Sequence, residues 1–129
     1  MSKFTLERID TVKGRIKIYK LLIDDDCEFD GFCESLKHEK RDDIIGSIFA
    51  TLEAYSNLQR LPGTRFKELK RPKSDSIKDY EIKTRNYRVY LFKDSKGGIV
   101  VFGASKNTQK RDIKRLRAIK LDYINTTTK

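Results

Sequence analysis

The side chains of this chain best suited to chemistry are cations placed on and around short strands. Tyr80 to Lys83 and Tyr87 to Lys93 read as two strands separated by a tight turn near Arg85-Asn86. Glu81 and Lys83 share one face of the first strand and Ile82 takes the other, because side chains alternate along a strand. The step from Lys83 through Arg85 to Arg88 crosses the turn, so it brings three cations to one end of a sheet. Lys106 follows the apolar run Ile99 to Gly103 and is expected at the same end. Phosphate oxygens suit such donors: arginine binds them bidentately and lysine supplies a point charge. A phosphoryl transition state gains from the same donors, since negative charge builds on its equatorial oxygens. Metal-free RNA cleavage needs little else. The 2′-OH attacks its own phosphate, and a lysine crowded by other cations releases its proton more readily and so serves as a base. The alternative is that these are ordinary solvated strand residues.

Other chemistries find less material. His38 is the only histidine and sits in a Lys-His-Glu-Lys stretch, which reads as a solvated helix end. No Ser/His/Asp or Cys/His arrangement is legible, and Gly97-Gly98 reads as a hairpin turn, not a phosphate cradle. Cys27 and Cys33 make neither a disulfide framework nor a zinc site. Asp24-Asp25-Asp26 lacks the glycine turn and distal glutamate of a calcium loop. It reads instead as the capped N-terminus of a helix. No metal and no cofactor are expected.

The charge distribution sharpens the picture. The 129 residues carry a formal net charge of +10, with 37% charged and 37% hydrophobic residues. Residues 1–60 hold 10 basic and 12 acidic side chains, a net of −2, while residues 61–129 hold 19 and 7, a net of +12. An excess confined to one half points to a polyanion, with nucleic acid the first candidate and an anionic membrane the second. No apolar run approaches bilayer length, and the start of the chain is too polar for a signal peptide, so a cytoplasmic protein is expected.

The positioning elements follow from periodicity. Phe4 to Asp10 and Arg15 to Ile23 flank a Lys13-Gly14 turn and suggest a hairpin, with residues 1–14 an extension of the main domain. Phe29, Phe32, Cys33 and Leu36 recur at helical spacing, and Ile44, Ile45, Ile48, Phe49, Leu52 and Tyr55 form a stronger stripe. The short link between them implies an antiparallel helical hairpin, which Leu61-Pro62-Gly63 ends. Phe66 to Lys70 is a further short strand, and Arg71 to Lys78 reads as a loop. Ile99 to Gly103 reads as a central strand buried on both faces. Ile113, Leu116, Ile119 and Tyr123 mark a last helix, with Lys110, Arg111, Lys114, Arg115, Arg117 and Lys120 on its remaining face. Residues 125–129 read as a flexible tail. The order predicts one α+β domain over residues 1–129: N-terminal strands, a helical hairpin on one face of a twisted, mainly antiparallel sheet, and a C-terminal helix. The second face of the sheet is then free to carry basic residues. Lys67, Lys70, Lys73, Arg85, Lys110 and Arg111 read as a docking surface for RNA.

Tyr80-Glu81-Ile82-Lys83-Thr84-Arg85-Asn86-Tyr87-Arg88-Val89-Tyr90, then Ile99 to Gly103, then Lys106-Asn107-Thr108-Gln109, resemble the RelE/HigB superfamily of bacterial toxins, closest to its phage-derived HigB-like branch. Phe66 to Lys70 and Asp112 to Tyr123 resemble the family's leading strand and C-terminal helix, so the resemblance covers roughly residues 15–124. It implies a RelE-like fold and the toxin of a type II toxin–antitoxin system. Such a toxin is a metal-independent mRNA endonuclease, usually working at the ribosome, and its partner is a helix-turn-helix antitoxin. Carried over by position, Lys83 matches a lysine proposed as general base, Arg88 the arginine that steadies the phosphate, and Lys106 a second cation. Tyr80 matches a tyrosine of the strand core. The chain departs from the pattern at three positions, and the histidines used by HigB itself are absent from its basic half. Glu81 stands where RelE carries a lysine, and Asn107 where relatives often have a second basic residue. Ile113 falls near the position of a base-stacking tyrosine. Two alternatives follow: a gyrase-directed toxin of the ParE type, or a non-catalytic module that binds nucleic acid or a partner.

Overall fold

The two N-terminal segments around Lys13-Gly14 form the hairpin that their alternation implies. In the computed structural model, which describes residues 3–127, β1 (Phe4–Arg8) pairs antiparallel with β2 (Ile18–Ile23), with Phe4 opposite Ile23 and Arg8 opposite Tyr19. Phe4, Ile9 and Val12 are all buried. The described part of residues 1–14 is therefore not an appendage but a sheet edge and part of the core.

The three aspartates after β2 make a turn and not a helix cap. Asp24 and Asp25 both adopt left-handed backbone (φ 50° and 68°), and Ile23 and Asp26 exchange backbone hydrogen bonds at 2.8 and 2.9 Å across them. Aspartate tolerates this conformation better than most residues, which explains the run. The N-cap of α1 (Glu28–His38) is Cys27, without a side-chain cap bond, while Glu28 and Asp30 supply the negative charge that suits the first turn. Residues 39–41 lead to α2 (Asp42–Ser56). Phe29, early in α1, meets Phe49 at the middle of α2 with ring centroids 6.0 Å apart, as a helical hairpin requires.

The second half builds β3 (Phe66–Glu68), β4 (Asp79–Thr84), β5 (Tyr87–Lys93) and β6 (Gly98–Ser105). A single 3-10 turn (Lys106–Thr108) then opens α3 (Gln109–Thr127). The six strands form one mixed sheet in the order β1-β2-β6-β5-β4-β3. Only the β2–β6 pair is parallel. The apolar run Ile99 to Gly103 lies inside β6, between β2 and β5, as a central strand. Helix α3 continues through Asn125–Thr127, which the sequence assigns to a tail; Thr128 and Lys129 lie outside the described residues.

Both faces of the sheet are covered, which corrects the expectation of one free face. On one side, Ile18, Ile82, Val89, Leu91 and Val100 pack with residues of α1 and α2. On the other, Leu21, Tyr90, Phe92 and Ile99 pack with Leu116 and Tyr123 of α3. The reason lies in β5. Val89 and Leu91 point one way, and Tyr90 and Phe92 the other, so apolar groups stand on both parities. Each large apolar side chain buried is worth about 1.5–3 kcal/mol, and α3 is the element left to cover the second face. Gly103 marks how closely the first helix approaches: a Cβ there would sit 2.4 Å from the Phe32 ring. No helix among the described residues is long and apolar enough to cross a membrane.

Candidate functional site

The β4–β5 turn sets the geometry of the site. Lys83 and Arg88 are direct partners across it, and Arg88 lies opposite Ala104 of β6. Tyr87 pairs with Ser105, and the Lys106 backbone N–H donates to the Asn86 carbonyl at 2.8 Å. Lys83, Arg88 and Lys106 therefore stand at one end of the three adjacent strands. Arg85 occupies the turn itself in left-handed backbone (φ 51°) and points to solvent, with Asp43 of α2 at 3.9 Å. Lys67 of β3 is the cross-strand partner of Glu81, so it shares the face of Lys83 one strand further out. Lys110 and Arg111 sit exposed in the first turn of α3, just beyond Lys106.

The cations differ in how they are held. The Arg88 Nη1 donates to the carbonyls of Tyr87 (2.8 Å) and Arg85 (3.1 Å), while its Nε is buried without a partner among the described residues. These two carbonyls fix the guanidinium beside the turn. Lys83 is half-buried and Lys106 exposed, and neither forms an ion pair among the described residues. Lys70 and Lys73 do not join them. They lie in the segment that follows β3 toward the Asp79 end of β4, where the Leu69 N–H donates to the Asp79 carbonyl. At about 3.3 Å per residue, the four residues from Asp79 to Lys83 along β4 separate that end from Lys83 by roughly 13 Å.

Beneath the cations lies a polar layer that the sequence reading missed. Glu81 is fully buried, and one of its oxygens accepts from the Gln109 side-chain amide at 2.5 Å. Its other oxygen has no partner among the described residues, nor has the hydroxyl of its cross-strand neighbour Tyr90. Burial above all, then the Glu81 and Asp112 carboxylates, push the Tyr90 phenol well above its ordinary range. Asp112 is itself buried and accepts from the Thr108 hydroxyl. Glu81 thus ties β4 to the start of α3 and is not a surface charge beside Lys83. The available signal was a carboxylate inside a strand whose neighbours, Tyr80 and Ile82, are both apolar.

The basic face of α3 is only partly a surface, another departure from expectation. Lys120 is 3% exposed and donates to Asp75 (2.6 Å), the Ile77 carbonyl (2.7 Å) and Asp79 (2.9 Å). Arg117 bonds Asp79 at 3.3 Å and also the Lys70 carbonyl. Arg115 pairs with Glu28 and lies over the Phe102 ring at 4.8 Å. These side chains lock α3 to β4, to its preceding loop and to α1. Lys110, Arg111 and Lys114 remain exposed.

His38 is exposed, as its sequence context implies. Both cysteines are free and half-buried, and no group of three metal-binding side chains forms among the described residues. No protein-family model matches the chain, and no curated protein or solved structure does so either.

Proposed function

We propose that the protein is a metal-independent endoribonuclease, the mRNA-cleaving toxin of a type II toxin–antitoxin pair with a RelE-like fold. The observation that carries this reading is the convergence of Lys83, Arg88 and Lys106 around the β4–β5 turn. In this reading, Lys83 removes the proton from a ribose 2′-OH, and the resulting oxygen attacks the adjacent phosphorus. Arg88 and Lys106 hold the non-bridging oxygens as their charge grows, and the 5′-oxygen departs, taking its proton from solvent water. The products carry a 2′,3′-cyclic phosphate and a 5′-OH. The carbonyls of Arg85 and Tyr87 preorganise Arg88 for that task, and fixed donors aimed at developing charge are the largest lever in such reactions. Arg85, Lys67, Lys110 and Arg111 add a positive rim that steers RNA inward and makes binding depend on salt. Lys70 and Lys73 belong to a different end of the molecule and drop out of the proposed site.

Glu81 does not weigh against this reading, because its carboxylate is turned inward to Gln109. The test is cleavage of labelled mRNA on translating ribosomes by the purified protein, run beside a salt titration of RNA binding. Cleavage supports the proposal. Salt-dependent binding with intact RNA identifies a non-catalytic binding module, and DNA breaks with intact mRNA identify a gyrase-directed toxin.

A further inference from the structure

The end of the sheet opposite Lys83 carries a second feature, independent of RNA cleavage. Helix α2 ends with paired backbone bonds: the Leu58 N–H donates to Tyr55 at 3.0 Å and the Gln59 N–H to Ala54 at 2.9 Å. This pattern places Leu58 where the chain turns left-handed, and its φ is 61°. Glycine is the usual occupant of that position, and a leucine there is strained. Its side chain gains little burial in return, for Leu58 is 60% exposed, one of two large hydrophobic residues so displayed among the described residues. Strain maintained at an exposed apolar residue calls for a reason outside the fold itself.

Leu58 forms one wall of a cavity of about 460 Å³, completed on its apolar side by Ile16, Tyr55, Ile77 and Tyr80. The floor is stiff. Tyr55 and Tyr80 lie 5.3 Å apart, and Tyr80 stacks on Phe66 at 5.0 Å. A neighbouring depression of about 360 Å³ shares Ile16, Lys93 and Ser95 with it, so the two form one groove. Five exposed cations line that groove: Arg15, Lys17, Lys78, Lys93 and Lys96. None of them forms an ion pair among the described residues. The one carboxylate, Asp94, is occupied by the backbone N–H groups of Lys96 and Gly97.

We infer that this groove binds an acidic peptide segment of a partner protein, anchored by one large apolar side chain seated against Leu58. The cations demand an anion, and the aliphatic wall demands an apolar anchor. The tyrosine rings are nine-tenths buried, so they offer no open face on which a nucleic-acid base could stack. A peptide with an apolar residue flanked by Asp and Glu answers both requirements.

The test is fluorescence anisotropy with a labelled peptide of Asp and Glu carrying one central Phe. Reversing charge with Lys78→Glu and Lys93→Glu together is expected to weaken binding by about tenfold or more. Leu58→Gly weakens binding severalfold while raising the melting temperature, because it removes both the anchor wall and the backbone strain. Replacing the Phe of the peptide by Ser has a similar effect, and Lys83→Ala has none. The inference is overturned if the peptide does not bind, or if Leu58→Gly and the charge reversal leave binding unchanged. It is equally overturned if an oligouridylate of the same charge binds with the same dependence on Leu58.

Discussion

Removing the Lys120 ammonium while keeping its apolar stem, as in Lys120→Met, tests how α3 is fastened to the sheet. The ammonium has three protons and three acceptors: Asp75, the Ile77 carbonyl and Asp79. Asp79 is fully buried, and one of its oxygens already lacks a partner among the described residues. Without Lys120 its other oxygen keeps only Arg117, at 3.3 Å. Breaking a buried ion pair from one side costs about 3–5 kcal/mol, because the remaining charge stays desolvated. For a chain of this size that corresponds to a fall in Tm of about 10–20 °C. In urea the midpoint falls by about 2 M. Denaturation at pH 7, followed by far-UV circular dichroism, reads both. The double variant Lys120→Met with Asp79→Asn recovers much of the loss, since it removes the stranded carboxylate. A loss under about 1 kcal/mol for Lys120→Met alone would mean that Lys120 does not form a buried ion pair, for that is the scale of a solvated surface pair.

Three further predictions follow from the same geometry. Against a burial penalty that acts to raise it, the Lys120 hydrogen bond holds the Asp75 carboxyl below its ordinary value of 3.8. A depressed carboxyl stabilises the fold above its unfolded pKa and loses that contribution as pH falls through the folded value. Acid titration of stability below about pH 4 is therefore expected to be steeper in the native protein than in Lys120→Met. Burial, with Asp30 second, pushes the Cys33 thiol up to about 11. At pH 8 its alkylation by iodoacetamide then runs about a hundredfold slower than that of an ordinary thiol and recovers in urea, and equal rates in both conditions would contradict this. Gly103→Ala forces a methyl group into the Phe32 ring. A loss of about 1–3 kcal/mol in urea denaturation is expected, relieved in a Phe32→Ala background.

Local pattern made several elements legible. The Lys13-Gly14 break marks the β1–β2 hairpin, the stripe from Ile44 to Tyr55 marks α2, and Ile99 to Gly103 marks a strand inside the sheet. The same logic applied to β5 would have revealed the covered second face, because Val89 through Phe92 is apolar on both parities just as β6 is. Long-range pairings carried no such signal. Nothing near Lys120 in the chain distinguishes it from Lys114, since its partners Asp75 and Asp79 lie 45 and 41 residues away. The parallel pairing of β2 with β6 is more remote still, joining Ile18 to Gly98. The role of Asp24 and Asp25 is not legible in the sequence, because aspartate suits both a helix cap and a left-handed turn, and only the backbone angles separate the two.

At the candidate site, the grouping of Lys83, Arg88 and Lys106 followed from strand spacing alone, because a tight turn leaves few registers. The layer below it did not follow. Glu81 looked like a surface charge until Gln109, 28 residues on, was brought against it. Lys70 and Lys73 were grouped with the site by charge and are separated from it by the length of β4.

Whether the cations cleave RNA is read from the chemistry of the ends left on ribosome-bound mRNA by the native protein and by Lys83→Ala, Arg88→Ala and Lys106→Ala. The native protein is expected to leave 2′,3′-cyclic phosphate ends, and Lys83→Ala and Arg88→Ala each to lose about a hundredfold or more in rate, within the range for a single general base or charge-stabilising donor. Ends bearing a free 3′-OH, or undiminished cleavage by both variants, would contradict this.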